Sequence, residues 1–111
     1  MTTISKEKKC ITLINVFTVD PEKQQQLVDL LTQATESSVR YVPGFISASL
    51  HRSLDGAKVA MYAQWRSVED YQAMRKNAAA LPYLEQALTL AKFESGMYEV
   101  VDTFEPRPKD A

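Results

Sequence analysis

The chain has 111 residues, of which 45% are hydrophobic and 24% are charged, and its formal net charge at pH 7 is -1. These values are typical of one soluble globular domain with a single core. The nearly neutral charge argues against nucleic acid as a partner, and no apolar run reaches the roughly 20 residues of a membrane span. The single cysteine, Cys10, and the single histidine, His51, argue against a disulfide and a zinc site. We therefore expect a cytoplasmic protein without a metal and without a membrane partner.

The chain is predicted to begin with a strand and a helix. Residues 10–18 are apolar and rich in β-branched side chains, which is typical of a strand covered on both faces. Asp20-Pro21 provides an N-cap followed by proline at the first helical position. Leucine and alanine then recur at helical spacing, which indicates one buried helix face. Pro43-Gly44 is expected to end this helix.

A β-hairpin is predicted next, and it leads to a tryptophan. Residues 45–53 and 58–66 alternate in polarity, and Asp55-Gly56 between them is a strong hairpin signal. Ser67 is a favourable N-cap for a following helix. Trp65 therefore stands where a strand gives way to a helix. A large aromatic side chain at such a junction can line a cavity, so this region is a candidate small-molecule site.

The last third of the chain is predicted to hold two short helices and a final strand. The first helix places Tyr71 on its apolar face, and the second begins at Pro82. In this second stretch Ala91 is assigned to the apolar helix face. Gly96 is expected to precede the last strand, predicted over residues 97–104.

The predicted order β-α-β-β-α-β indicates an α+β, ferredoxin-like fold, with a four-stranded antiparallel sheet and its helices on one face. We expect this domain to span residues 10–105, between a flexible N-terminal segment, 1–9, and a C-terminal tail, 106–111. The strands carry bulky apolar residues on both faces. Because a monomer rarely leaves such an area exposed, the sequence also predicts a homodimer packed sheet to sheet.

Several segments resemble the antibiotic biosynthesis monooxygenase family. They are Tyr62-Ala63-Gln64-Trp65, Ser67, Tyr71, Val42-Pro43-Gly44-Phe45 and Asp55-Gly56. The resemblance implies a dimeric α+β barrel. For the activity, it implies oxidation of planar polyphenols such as anthrones to quinones, without flavin, metal or haem. The expected partners are thus a small aromatic substrate and O2, and no cofactor is expected.

The reaction implied by the resemblance places simple demands on the protein. An electron-rich phenol or anthrone loses a proton, and the resulting anion itself reduces O2. The protein must then supply an apolar pocket, a proton acceptor and a hydrogen bond to the developing oxyanion.

Trp65 and Tyr71 are the candidate catalytic residues. Trp65 could stack on an aromatic ligand or donate its indole N–H to it, and the alternative is a core tryptophan that seals the sheet. Tyr71 shares a helix face with apolar residues, so its spacing alone indicates a core position. The family resemblance makes its hydroxyl a candidate proton-transfer group.

Four further residues are candidates for substrate binding: Asn15, Phe17, Leu50 and Met61. Asn15 is a polar residue within an apolar strand and has the same parity as Phe17. A buried amide needs a hydrogen-bond partner, which here would be the neighbouring backbone or a ligand. Met61, Leu50 and Glu85 stand where family members commonly carry asparagine, tyrosine and arginine. We therefore expect an apolar pocket with few oxyanion-binding groups.

Two alternatives remain open from the sequence. The loss of polar groups favours a non-catalytic dimeric module that binds a hydrophobic small molecule. Asn15 and Trp65 also match positions that line the haem pocket of haem-degrading relatives. Those enzymes ligate iron through a histidine in the second helical region, and residues 77–93 contain none. His51 lies in the second predicted strand instead.

Overall fold

A four-stranded antiparallel sheet and three helices make up the fold in the computed structural model, which describes residues 2–109. The strands follow the order β2-β3-β1-β4 across the sheet, which is the ferredoxin-like arrangement. The predicted fold class is therefore confirmed. The strands are β1 (Ile11–Val19), β2 (Phe45–Arg52), β3 (Lys58–Trp65) and β4 (Ala91–Tyr98), and the helices are α1 (Gln24–Ser37), α2 (Val68–Arg75) and α3 (Leu81–Leu90).

The first helical segment begins at Asp20, as predicted. Its carboxylate Oδ1 accepts a hydrogen bond from the backbone N–H of Glu22 at 3.1 Å, which satisfies a donor that the start of a helix leaves free. This segment is one 3-10 turn, Pro21–Lys23, and the α-helix itself begins at Gln24. The proline is accommodated because no N–H is needed at this position.

The end of α1 differs in detail from the prediction. The α-helix ends at Ser37, and a second 3-10 turn, Val39–Tyr41, separates it from Pro43-Gly44. Between them, the hydroxyl of Ser38 donates to the carbonyl of Ala34 at 2.6 Å. The Ala34 carbonyl also accepts the backbone N–H of Ser38 at 3.0 Å, so Ser38 holds the end of the helix through two hydrogen bonds.

The hairpin between β2 and β3 is confirmed. Gly56 adopts a φ of +83°, which glycine tolerates far better than other residues. The Asp55 carboxylate accepts hydrogen bonds from the Ala57 N–H at 3.0 Å and the Ser53 hydroxyl at 2.7 Å. These bonds, that of Ala57 foremost, hold the pKa of Asp55 below its usual value. The hairpin brings Trp65 to the last position of β3.

The prediction for the last strand is wrong. The strand β4 spans Ala91–Tyr98, so it includes only the first two residues of the predicted range 97–104. It follows α3 without a loop, and Ala91 is therefore a strand residue. In β4, Ala91 and Phe93 pair with inward-facing residues of β1. Gly96 lies inside the strand, where the ring of Tyr98 occupies the space that a Cβ would need. This glycine therefore makes room for an aromatic neighbour and is not a strand boundary.

The helices cover one face of the sheet, named here the inner face, and the core lies between them. Side chains alternate across each strand, so every second residue points to the helices. Leu27 of α1 and Val59 of β3 are completely buried. The other buried members come from the strands and from the helices packed on them: Leu13, Phe17, Val19, Leu30, Leu31, Ala63, Trp65, Tyr71, Met74 and Ala87.

The opposite face of the sheet, named the outer face, carries a buried glutamine. Gln64 is 1% exposed. Its Oε1 accepts hydrogen bonds from the Ser47 hydroxyl at 2.8 Å and the Lys8 ammonium at 3.3 Å, and its Nε2 donates to the Thr3 carbonyl at 2.7 Å. The segment that precedes β1 is thereby attached to this face.

Neither a membrane-crossing helix nor a metal-binding cluster occurs within residues 2–109. The longest helix, α1, has 14 residues, and no helix is long and apolar enough to traverse a bilayer. In the same part of the chain, no three His, Cys, Asp or Glu side chains lie together as a metal site would require.

Candidate active site

A largely apolar cavity of about 60 Å³ lies between the inner face and the helices. Its walls come from β1, β2, β3 and α1, together with Met74 of α2 and Leu84 of α3. The polar side chains in its wall are Asn15, Thr35 and the indole of Trp65. A mostly apolar cavity with a few polar groups is the usual form of a small-molecule site.

A second compartment of about 50 Å³ continues the first. Both are lined by Asn15, Phe17, Met74 and Leu84, and only the second also reaches Tyr71, Arg75 and Phe93. We name the two together the slot, with an inner compartment at Trp65 and an outer compartment at Tyr71. The residues Tyr71 and Arg75 also border an open surface depression, so the slot meets the surface beside α2.

Trp65 closes the inner compartment, as its position at the end of β3 predicts. It is 1% exposed. Its ring makes edge contacts with Phe45, at 5.4 Å between centroids, and with Tyr71, at 6.0 Å. Its indole Nε1 is buried and has no hydrogen-bond partner among the described residues. An unpaired buried donor costs about 1–3 kcal/mol, so the fold leaves this N–H unused on a residue that lines the cavity.

Tyr71 lies one turn into α2, where the helix cap fixes it. The Ser67 hydroxyl accepts a hydrogen bond from the Asp70 N–H at 3.2 Å and so caps the helix. Tyr71 is 3% exposed and lines the outer compartment. Its Oη accepts a hydrogen bond from Arg75 Nη1 at 3.0 Å. The phenolic proton itself is left free to be donated.

Asn15 lies where the two compartments meet. Within the sheet it pairs with Met61 of β3 and with Ser95 of β4. Its Oδ1 is buried and has no hydrogen-bond partner among the described residues. The fold thus leaves an acceptor of β1 unused, on a residue that lines the same slot as Trp65. Its hydrogen-bonding role is the opposite of the indole's, because the amide oxygen accepts where the indole N–H donates.

The structure brings two of the other predicted residues to the slot and leaves one outside it. Phe17 lines both compartments, and Met61 lines the inner one. Leu50 lines neither; it packs against the core cluster that contains Phe17 and Leu27. His51 is exposed on the outer face, where its Nε2 lies 2.9 Å from the Ser49 hydroxyl.

Arg75 is a charged slot residue that the sequence interpretation missed, along with several apolar lining residues such as Met74 and Leu84. Its guanidinium lies 6.0 Å from the ring centroid of Tyr71 and 5.6 Å from that of Phe93, in addition to its hydrogen bond to the Tyr71 hydroxyl. A sequence signal was available, because residues four apart on a helix share a face. Arg75 stands four residues after Tyr71.

An ion pair holds the start of α2 in place. Arg66 donates from Nε to Asp70 Oδ2 at 2.8 Å and from Nη2 to Oδ1 at 2.9 Å. The hydrogen bonds from Arg66, and then that from Ser67, keep the pKa of Asp70 below its usual value. Gly44 lies against this carboxylate: its φ is +90°, and a Cβ there would overlap Asp70.

Comparison with known proteins gives consistent results. The family model described as antibiotic biosynthesis monooxygenase matches residues 10–86. The chain is 42% identical over 104 residues to the tetracenomycin-F1 monooxygenase of Streptomyces glaucescens, covering 94% of this chain and 93% of that relative. These matches favour an enzyme over a non-catalytic binding module.

Solved structures share the fold. A monooxygenase from the gene ActVA-Orf6 of Streptomyces coelicolor, in complex with nanaomycin D, is 29% identical with a TM-score of 0.77, over 88% of this chain and 93% of that chain. SnoaB, a cofactor-independent oxygenase from Streptomyces nogalater, has a TM-score of 0.75 at 20% identity, over 89% of this chain and all of that one. The family match, the 42% identity and the shared fold lead to one conclusion: the chain belongs to the antibiotic biosynthesis monooxygenase family and is a monooxygenase.

Proposed function

We propose that this monooxygenase works without a cofactor and uses O2 to oxidise a planar aromatic compound of the anthrone, polyphenol or quinol type in the slot. One observation carries the proposal. Two buried polar atoms, Trp65 Nε1 and Asn15 Oδ1, have no hydrogen-bond partner within residues 2–109 and belong to residues that line the same apolar cavity. Buried polar atoms are nearly always satisfied, so this pair is suited to a ligand that carries both a hydroxyl and a carbonyl or oxyanion.

The chemistry needs only the substrate and O2. An anthrone-type CH2 group loses one proton to water, and its carbanion passes one electron to O2. The radical and superoxide combine and take up a proton to form a hydroperoxide, which loses water to give a carbonyl. One oxygen atom enters the product and the other leaves as water, so the CH2 carbon is oxidised and O2 is reduced.

The residues of the slot have distinct roles in this scheme. The Trp65 N–H donates to the oxygen on which negative charge develops, and such a donor in a water-poor site typically contributes 10²–10³-fold to the rate. Asn15 Oδ1 accepts from a substrate hydroxyl and orients the ring. Tyr71, whose hydroxyl lies in the outer compartment, is the proton-transfer group. Phe17 and Met61 provide apolar walls.

The relatives support this substrate class. One is named for tetracenomycin F1, and another was solved with nanaomycin D bound. The two compartments of about 60 and 50 Å³ hold only a few water molecules as they stand. A polycyclic ring therefore requires Met74 and Leu84, which border both compartments, to shift. The unbranched side chain of Met74 suits such adjustment.

We also propose that the chain works as a homodimer. The outer face carries Ile14, Val16, Ala60 and Tyr62, which are only partly buried, and the segment held by Gln64 covers one end of this face. A second copy packed against the rest would remove it from water. Sedimentation at micromolar concentration should give twice the chain mass, and a monomer mass would contradict the dimer.

Oxygen uptake is the direct test of the proposed function. Purified, metal-stripped protein is mixed with a panel of anthrones and hydroquinones, and uptake is compared with autoxidation. We expect uptake above the background rate. Trp65→Phe and Tyr71→Phe should each lower kcat at least about tenfold, because each removes a polar group from the slot.

Tyr41→Phe is the matched control. It deletes the same hydroxyl from a side chain that is 74% exposed and does not line the slot, so kcat should not change. Normal turnover in the Trp65 and Tyr71 variants would remove both residues from the mechanism. Saturable ligand binding without product across the panel would contradict the proposed reaction and leave only a binding role for the slot.

A further inference from the structure

Arg75 occupies the boundary between the slot and the surface. It lines the outer compartment together with Phe93, and it also borders the open depression beside α2 with Gln72, Lys76 and Met97. A molecule that enters the slot from this depression must therefore pass the guanidinium.

The charge of Arg75 is held in place but not neutralised. Two aromatic rings flank it, at 5.6 Å for Phe93 and 6.0 Å for Tyr71, and such contacts orient a guanidinium. One of its five N–H groups is used, by the Tyr71 hydroxyl. Among residues 2–109, no carboxylate lies within ion-pair distance of it, whereas Arg66 on the same segment is paired with Asp70.

We propose that Arg75 binds an anionic substituent of the substrate, so that the preferred substrates are planar aromatic compounds bearing a carboxylate or an ionised phenol at one edge. This inference rests on the slot of the proposed function and names the substrate class it selects. The aromatic rings of the substrate enter the slot past Met74 and Leu84. Its acidic edge stays where the outer compartment meets the surface, and there it accepts hydrogen bonds from the free N–H groups of Arg75. The flat fork of arginine matches the two oxygens of a carboxylate.

The position of the charge lets a pocket whose inner wall carries the apolar Met61 recognise a polar edge. The charge that recognises the anion lies on α2, where the outer compartment meets the surface, while the inner compartment is largely apolar. The same guanidinium donates to Tyr71 Oη, so a bound anion and the phenolic proton of Tyr71 lie on the same side of the slot. A neutral substrate gains nothing from this arrangement.

Equilibrium binding tests the proposal without depending on turnover. The probes are 2-naphthoate and its neutral counterpart 2-naphthylmethanol, which share one ring system and differ in charge. Dissociation constants are measured by equilibrium dialysis for the wild type, Arg75→Met, Arg75→Lys and Lys23→Met. Each is measured at about 0.01 M and about 1 M ionic strength, because salt screens exposed charges. Lys23→Met removes one positive charge from an exposed turn outside the slot.

We expect Arg75→Met to weaken 2-naphthoate binding about tenfold or more at low salt, in line with the loss of a charge-assisted hydrogen bond. Binding of 2-naphthylmethanol should change less than about twofold, Arg75→Lys should recover part of the loss, and Lys23→Met should match the wild type. Thermal unfolding of each variant confirms that the fold is kept.

Three outcomes would overturn the proposal. Equal weakening of both probes in Arg75→Met would mean that the side chain supports packing only. An unchanged 2-naphthoate affinity would mean that the anion lies elsewhere, and an equal loss in Lys23→Met would reduce the effect to overall charge. In these cases the neutral probe still binds the slot and the proposed oxidation stands. If neither probe binds the wild type, the slot itself fails and both proposals fall.

Discussion

Gln64 and Trp65 are adjacent in β3, and each is 1% exposed, but their side chains lie on opposite faces of the sheet. On the outer face, the amide of Gln64 uses both its oxygen and its nitrogen in hydrogen bonds to Ser47, Lys8 and Thr3. On the inner face, Trp65 Nε1 has no partner in the described part of the chain. Two side chains that are equally buried therefore differ in whether the fold satisfies their polar atoms.

The difference separates buried polar groups that the fold uses in hydrogen bonds from those that it leaves unused. Gln24 behaves like Gln64, because its Nε2 donates to the carbonyls of Ser53 and Lys58 and joins α1 to the hairpin. Asn15 behaves like Trp65. Thr12 Oγ1 is the exception, since it is buried on the outer face and has no partner among the residues that the structure describes. A missing partner therefore points to a candidate site only where the residue also lines a cavity, as Trp65 and Asn15 do and Thr12 does not.

The largest effect should come from removing the tryptophan. Trp65→Ala deletes a buried side chain that touches Phe45 and Tyr71, and the cavity should lower the free energy of unfolding by about 3–5 kcal/mol. Urea unfolding followed by circular dichroism measures it, because the fluorescent probe is lost. A loss below that of Gln64→Ala would contradict the role of Trp65 in the core.

Removing the glutamine should cost less and leave the slot intact. Gln64→Leu breaks the three hydrogen bonds on the outer face and should lower the free energy of unfolding by about 2 kcal/mol. The affinity for 2-naphthylmethanol should not change. Gln33→Leu, on the exposed face of α1, is the control and should stay within about 0.5 kcal/mol of the wild type. An equal effect of the two would show that the outer hydrogen bonds contribute no stability.

Removing the amide of Asn15 should change the free energy of unfolding in the opposite direction. Asn15→Leu relieves a buried acceptor of its desolvation cost, so the free energy of unfolding should rise by about 1 kcal/mol while kcat falls. Asn77→Leu provides the contrast. Asn77 Oδ1 accepts from the Ala79 N–H at 2.9 Å, so this variant should lose about 1 kcal/mol. Destabilisation by Asn15→Leu would mean that the fold does use this amide.

The smallest effect concerns the ion pair at the start of α2. The folded state lowers the pKa of Asp70 from its ordinary value of 3.8, chiefly through hydrogen bonds from Arg66 and then from Ser67. The group therefore adds stability above the pKa of the unfolded state, and this is lost as the pH falls through the lower pKa of the folded state. Asp70→Asn should reduce the dependence of the free energy of unfolding on pH below about pH 4. Arg66→Gln should also reduce this dependence. An unchanged slope in Asp70→Asn would remove this carboxylate from the acid response.

The sequence by itself determined the elements whose signals are local. Asp20 caps a helical segment, Asp55-Gly56 turns the hairpin, and Ser67 caps α2, because each acts through its own backbone or that of its nearest neighbours. Alternation also placed Asn15 on the inner face. The hairpin signal and the Ser67 cap together predicted that Trp65 lies at the end of β3, beside α2. The fold class followed from the order of these elements.

Tertiary structure decided everything that depends on side chains meeting across elements. The ring of Tyr98 covers Gly96 and keeps β4 continuous from Ala91, although a glycine next to a helical pattern indicated a break. Leu50 faces the core outside the slot. The aromatic rings that hold Arg75 lie on α2 and β4, which are distant in the sequence. Periodicity assigns a residue to a face, but the residues it meets there depend on how the helices and the sheet are packed together.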